Sequence, residues 1–282
     1  MEYKILNNGI KMPIMGIGTY LLTPDEAENS VEIALKNGYK LIDTANAYVN
    51  EKAVGRGIRK SGIKREEIFL ETKLWPSFYE DDNAIEKTLQ RLDTDYIDLM
   101  ILHQPAGNYI EGYKKLEKAY KEGKLKSIGI SNFNESEIQE IMDKCEIKPA
   151  LIQVEAHPYF PRKELNNFLQ ANDIALQSWY PLGGRGNTTM INEEIFTKLA
   201  KKYNKTNAQI ILRWHTQMGY IVIPGARSEE HIKQNIDIFD FELSDEDIEE
   251  IAKLNKNVPF YIRTDEALKR FAEWVPDVEN QK

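Results

Sequence analysis

Short apolar runs alternate with longer amphipathic segments along nearly the whole chain. The runs at residues 14–18, 41–43, 69–73, 97–103, 127–131, 151–155, 174–179 and 220–224 are nearly continuous in apolar character, as strands buried on both faces are. Ahead of them, residues 3–12 carry turn chemistry at Asn7-Asn8-Gly9 and read as a hairpin. Helix signals fill the intervals. Thr23-Pro24-Asp25-Glu26 offers an N-cap, a proline at the first helical position and a glutamate three residues after the cap. Ala27, Val31, Ala34 and Leu35 then share one face, and Gly38 supplies the stop. Asn134 with Glu137 and Ser244 with Asp247 open later helices in the same way, and Thr206 caps one carrying Ile210, Ile211 and Trp214. Two further faces are marked by Ile85, Leu89 and Leu92, and by Tyr113, Leu116 and Tyr120.

Strands separated by helices pair in parallel through helical crossovers. Eight such units predict an α/β fold of the closed (β/α)8 type, a TIM barrel with a short N-terminal β-hairpin, and one domain over residues 1–282. A chain of 282 residues buries a sizeable core without staples. Its net charge of −8 argues against nucleic acid or an anionic membrane as the main partner. The single cysteine, Cys145, excludes an internal disulfide, fits a reducing compartment and falls on the face of Ile138, Ile141 and Met142, where it reads as packing. With no leader pattern and no membrane-length apolar run, the expected location is the cytoplasm.

Four residues change the picture from fold to chemistry. Asp43, Tyr48, Lys73 and His103 fall at or just beyond the carboxyl ends of expected strands, where barrels of this type place their active sites. A phenol is a weak acid, with a pKa of roughly 10, and a neighbouring cation favours its ionised form. The aspartate can hold the lysine charged, and the imidazole can hold a carbonyl oxygen. Such a set suits protonation of an oxygen while a hydride arrives from elsewhere. Taken singly, Asp43 reads as a helix cap, Lys73 as a solvated rim residue and His103 as a packed histidine.

The segment Gly38-Tyr39-Lys40-Leu41-Ile42-Asp43-Thr44-Ala45, followed by Tyr48, Glu51 and Val54-Gly55, resembles the first signature of the aldo-keto reductases, with Lys40 where an arginine is usual. Glu71-Thr72-Lys73-Leu74-Trp75 resembles the lysine strand of that family, and Leu102-His103-Gln104-Pro105 its histidine strand, with Gln104 at a frequent tryptophan position. Gly129-Ile130-Ser131-Asn132-Phe133, Gln153-Val154-Glu155-Ala156-His157-Pro158 and Trp179-Tyr180-Pro181-Leu182-Gly183 are similar to the next three blocks. The resemblance runs in order from about Gly16 to Leu254 and is nearest to bacterial members of the 2,5-diketo-gluconate reductase kind.

This resemblance implies a TIM-barrel reductase of aldehydes and ketones that uses NADPH, with NADH as a second coenzyme, and needs no metal. It implies Tyr48 as proton donor, Lys73 and Asp43 as the groups that tune it, and His103 as the holder of the carbonyl. Ser131, Asn132 and Gln153 would meet the nicotinamide amide, and Tyr180 would stack on the ring. Thr19, Leu182 and Gly183 complete that end of the coenzyme site. Relatives often carry a lysine where Gly225 stands and an arginine further along, and across Pro224–His231 this chain has neither in its usual place. Arg227 is therefore expected to take the 2′-phosphate instead, with Ser228 as an added donor and Gln234 and Asn235 at the adenine.

Tyr20, Trp75 and Gln104 are expected to wall the substrate pocket beside His103. The tail from Asn257, with Phe260, Tyr261 and Trp274, either shapes that pocket or packs beneath the barrel. Gly183-Gly184-Arg185-Gly186 lacks the lysine-serine pair of a nucleotidase phosphate loop and reads as a segment folding over the coenzyme. His157 reads as structural support and His215 as a packed histidine. The expected partner is a small-molecule carbonyl substrate, and the expected state a monomer. A different class of function retains the same coenzyme site: an NADP(H)-sensing or accessory subunit with slow turnover. A barrel hydrolase lacks both paired acidic motifs and metal ligands.

Overall fold

The structure, a computed structural model, describes residues 1–184 and 188–282. Strands β1 (Tyr3–Ile5) and β2 (Lys11–Pro13) form the opening hairpin. Eight strands follow in one parallel sheet whose spatial order is the chain order: β3 (Gly16–Gly18), β4 (Leu41–Asp43), β5 (Phe69–Leu74), β6 (Leu99–Leu102), β7 (Ile128–Ser131), β8 (Leu151–Glu155), β9 (Ala175–Trp179) and β10 (Ile221–Val222). The two ends of the sheet meet. Met15 bridges Val222 in parallel, Val222 N donates to Ile14 O at 2.9 Å, and Gly18 N donates to Pro224 O at 3.2 Å. The fold is a (β/α)8 barrel with an N-terminal hairpin.

Every strand found lies inside or against the apolar run that predicts it. The helix caps are realised as well. Thr23, Asn134, Thr206 and Ser244 each close a reciprocal capping box with the side chain three residues on. Alternation along the strands divides the buried residues in two. Leu41, Phe69, Leu99, Ile101, Leu151, Ala175 and Ile221 fill the barrel interior, where Leu6, Met12 and Ile14 of the hairpin region join them. Ile42, Leu70, Met100, Leu102, Ile130, Ile152 and Leu176 point outward to the helices. The hairpin therefore plugs the floor of the barrel and leaves the carboxyl-end face for chemistry.

The interior has room for little else. At Gly129 an added Cβ would stand 2.5 Å from Leu151 O and 3.0 Å from Ile101 Cγ2. Neither neighbour is free to retreat, because one is a ladder carbonyl and the other an interior side chain. Gly129→Ala is expected to cost about 1–3 kcal/mol, the usual range for overpacking. A urea titration checks this as a lower midpoint at unchanged slope.

The tail from Asn257 onward crosses the carboxyl-end face rather than the floor. Phe260 N and Tyr261 N donate to the Glu155 carboxylate at the end of β8. Arg263 donates to Asn132 O at 2.8 Å and makes a forked pair with Glu137. After the helix Asp265–Glu273, Trp274 O accepts from Trp75 Nε1 at 3.1 Å. The last residues reach the helix Glu51–Ser61, where Gln281 Oε1 accepts from Lys52 N at 3.0 Å, and the helix Ala84–Leu92, where Glu279 pairs with Arg91.

Candidate active site

The short turn Asn46–Tyr48 carries the phenol from β4 toward the helix Glu51–Ser61. Amide side chains pin it on both sides. Asn46 Oδ1 accepts from Trp75 N at 3.1 Å, while Asn50 Nδ2 donates to Thr19 O and Leu22 O at 3.0 and 3.1 Å. Below Tyr48, Lys73 is fully buried. Its Nζ lies 2.5 Å from Asp43 Oδ1 and 2.8 Å from Thr44 O. The same ammonium stands 4.8 Å from the centre of the Tyr48 ring. His103, just beyond β6, meets the Tyr48 ring edge-on at 5.6 Å and the Trp75 ring at 5.0 Å. The four residues predicted from their strand positions thus converge on one side of the barrel mouth.

Burial and charge pull in opposite directions here. Burial raises the Tyr48 phenol above its ordinary value, and the Lys73 ammonium pulls it back only in part. The phenol therefore holds its proton at neutral pH. Burial alone would lower Lys73, but Asp43, Tyr48 and Glu71 together more than offset it and keep the amine protonated. Burial lifts the Asp43 carboxyl, with Lys73 drawing it down again. Ammonium contact at 2.5 Å keeps Asp43 ionised. Burial, aided by Lys73, holds His103 well below its usual value, so the imidazole is neutral. Among the described residues no group bonds its buried Nδ1 or the buried Oε1 of Gln104.

The residues assigned to a coenzyme lie along an arc of the same face. Asn132, in the left-handed region at φ 68°, donates from Nδ2 to His103 O and Ser131 Oγ at 3.1 Å each, and accepts at Oδ1 from Trp179 Nε1 at 2.9 Å. Gln153 is buried and its Nε2 lies 2.9 Å from Asp43 Oδ1. Thr19 is buried against Asp43 O through both its amide and its hydroxyl. Tyr180 stands edge-on to Trp179 at 4.7 Å, and Gly184 lies so near its ring that a Cβ would overlap it. Leu182 packs on the outer core, and Gly183, at φ 89°, turns the chain after it. Of the loop predicted to fold over the coenzyme, Arg185 and Gly186 fall outside the described residues.

Arg227 is exposed, with Nε 3.0 Å from Glu26 Oε1 and Nη2 2.8 Å from Leu21 O. Ser228 caps the helix Glu229–Ile236, on which Asn235 is buried and Gln234 bonds Glu230. On the substrate side, Tyr20 lies 5.0 Å from the Tyr48 ring. Trp75 is boxed by His103, Phe271 and Trp274. The tail thus contributes wall residues that the sequence left undecided.

A layer directly beneath this site carries further polar residues. Glu71, the first residue of the block with Lys73, and Gln177, just ahead of the block that opens at Trp179, are buried beside Asp43 and Gln153 and have no signal of their own in the sequence. The only available hint is an acid within an apolar run. His157 bonds Glu155 at 2.9 Å under the tail. His215 lies between Ile211 O and Ala156 O, its pKa lowered to about 4 by burial. Half-buried Cys145 packs on the outer core, its thiol pushed up to about 11 by burial. Among the described residues no His, Cys, Asp and Glu cluster is placed to hold a metal, and no helix is long and apolar enough to cross a membrane.

The family description "Aldo/keto reductase family" matches residues 14–256, from the strand before Asp43 to beyond the last barrel strand. The chain belongs to the aldo/keto reductase family. Among its relatives in this family is the glyoxal reductase of Bacillus subtilis, 44% identical over 257 residues that span 89% of this chain and 92% of that protein. Methylglyoxal reductase DkgA of Escherichia coli is 37% identical, with 89% and 92% covered. The crystal structure of MGS-M4, an aldo-keto reductase enzyme from a Medee basin deep-sea metagenome library, superposes with a TM-score of 0.90 at 39% identity, over 93% of this chain and 98% of that one.

Proposed function

We propose that this aldo/keto reductase reduces small aldehydes and ketones to alcohols with NADPH, and accepts NADH as a second coenzyme. The observation that carries the reading is the Tyr48 ring at the barrel mouth, 4.8 Å from the ammonium of a buried Lys73–Asp43 pair and edge-on to His103 at 5.6 Å. The residues present suit a dinucleotide. Among the described residues buried His103 Nδ1 and Gln104 Oε1 have no partner, and the Arg227 guanidinium lies exposed on the loop after β10.

NADPH, when bound, supplies the hydride from its nicotinamide C4. Tyr48 passes its proton to the oxygen of the substrate carbonyl, and the phenolate that remains faces the Lys73 ammonium. Neutral His103 donates a hydrogen bond to that oxygen and fixes which carbonyl face is presented. Ser131, Asn132 and Gln153 orient the carboxamide, Tyr180 packs against the ring, and Thr19, Leu182 and Gly183 border it. Arg227 and Ser228 take the 2′-phosphate, with Gln234 and Asn235 toward the adenine. Tyr20, Trp75 and Gln104 wall the substrate. Relatives named for glyoxal and methylglyoxal favour small dicarbonyls, and the buried amide of Gln104 suits a second oxygen.

The test is near-ultraviolet absorbance of NADPH and of NADH across a panel of aldehydes, ketones and dicarbonyls. Sustained oxidation is expected. Tight NADPH binding without turnover would move the protein to a coenzyme-sensing role. Arg227→Ala should weaken NADPH binding roughly tenfold or more, the scale of a lost charged hydrogen bond, and leave NADH nearly untouched. Equal weakening of both would remove Arg227 from the phosphate.

A further inference from the structure

The layer beneath Tyr48 holds two acids and one cation. Alternation along the strands turns Asp43 of β4, Glu71 and Lys73 of β5, Gln153 of β8 and Gln177 of β9 inward, and register places Asp43 beside Glu71 and Gln153 beside Gln177. All five are buried, Glu71 with no exposed surface at all. Lys73 Nζ donates to Asp43 and Thr44 O, not to Glu71. Glu71 receives only neutral amides: Gln177 Nε2 at 2.7 Å on one oxygen and Gln153 Nε2 at 3.2 Å on the other. The same Gln153 nitrogen lies 2.9 Å from both Asp43 Oδ1 and Gln177 Oε1. No other barrel strand adds a cation: β3, β6, β7 and β10 carry no ionisable side chain, and Glu155 of β8 is itself an acid, held by His157 and by Phe260 N and Tyr261 N. Glu51 and Arg91 pair with each other on the far side of β5, through Thr72.

Two carboxyls and one ammonium in a dry layer balance only if one carboxyl keeps its proton. Asp43 has the ammonium, so the proton belongs to Glu71. We propose that Glu71 is a positioning residue for the reduction, a neutral acid whose proton leaves the Lys73 ammonium committed to Asp43 and Tyr48. This rests on the assignment of Tyr48 as the acid. Ionised Glu71 would add a second anion beneath Lys73, weaken its support of the developing Tyr48 phenolate, and pull on the Gln153 amide. The direction of titration agrees. Burial first, then Asp43, push Glu71 up to about 8, against Lys73 and the two amides.

The sign follows from linkage. A carboxyl raised from 4.5 to about 8 in the folded protein gives stability that is present in acid and lost as pH rises toward 8. Turnover falls later, as Glu71 of the folded enzyme ionises. The experiment compares the full-length protein with Glu71→Gln, reading Tm from pH 5 to 8 and turnover of methylglyoxal with NADPH from pH 7 to 9. The wild-type Tm is expected to fall by roughly 5–10 °C more than that of the variant across the first window. Wild-type turnover should fall by up to about tenfold across the second, the effect of moving Tyr48 by one pKa unit, and the variant should lose that fall.

Gln177→Met gives a second arm, because removing a donor to the carboxylate moves the wild-type fall to higher pH. A Glu71→Gln protein that keeps both wild-type pH dependences overturns the proposal. So does one whose Tm profile flattens while its turnover profile does not, since Glu71 would then be a buried acid without influence on the reaction. If Tyr48→Phe retained turnover, the acid assignment would fail by itself, and the Tm arm would still report the state of Glu71.

Discussion

Tyr48→Phe is expected to lower kcat by roughly 10²–10⁴-fold, the usual contribution of a placed general acid, with NADPH affinity held within about twofold. The reason is local. The ring of Tyr48 packs against Tyr20 and His103, contacts that phenylalanine preserves. Only the hydroxyl is lost, and with it the one phenolic proton backed by Lys73. Steady-state rates together with coenzyme titration by protein fluorescence separate the two quantities. A variant with unchanged kcat would end the acid assignment. One that lost coenzyme affinity as well would show that the hydroxyl holds the site together rather than feeding it protons.

The second large effect concerns stability. Lys73→Met should cost about 3–5 kcal/mol, because it leaves the Asp43 carboxylate buried without its cation. Burial then raises Asp43 in the folded variant above its value in the unfolded chain. Such a group gives stability in acid that is lost as pH rises through its folded value, so the deficit should shrink on acidification. Lys73→Met combined with Asp43→Asn should recover much of the stability and none of the turnover. Chemical denaturation at two pH values distinguishes these cases. A single variant as stable as the parent at neutral pH would mean that water reaches Asp43, and the dry Lys73–Asp43 pair would have to be abandoned.

Strand positions were legible because a barrel strand buried on both faces has to be apolar throughout. That leaves little ambiguity at residues 41–43 or 151–155. Asp43, Lys73 and His103 stood out only together: each has an ordinary reading alone, but the set recurs at successive strand ends, where a barrel places its chemistry. The neighbours of Arg227 were not legible. Its pairing with Glu26 joins residues far apart in the chain, and no local pattern encodes a crossing of that kind. The tail was undecided for a related reason. Phe260, Tyr261 and Trp274 announce burial, but only the partners Glu155, Trp179 and Trp75 say at which end of the barrel it occurs. Glu71 was hidden by its own block, read as part of a signature when its burden is the charge balance beneath Lys73.

The two termini are not equivalent handles. The amino-terminal hairpin seals the floor of the barrel, remote from Tyr48, so a fusion there tugs on a lid over inert side chains. At the other end, the Lys282 carbonyl accepts from Arg56, Gln281 grips the first turn of the helix that follows Tyr48, and Glu279 holds Arg91. An affinity tag or immobilising surface attached at the carboxyl terminus would load that helix. Immobilised by its amino end, the protein would keep the helix after Tyr48, and the tail contacts that hold it, free of load.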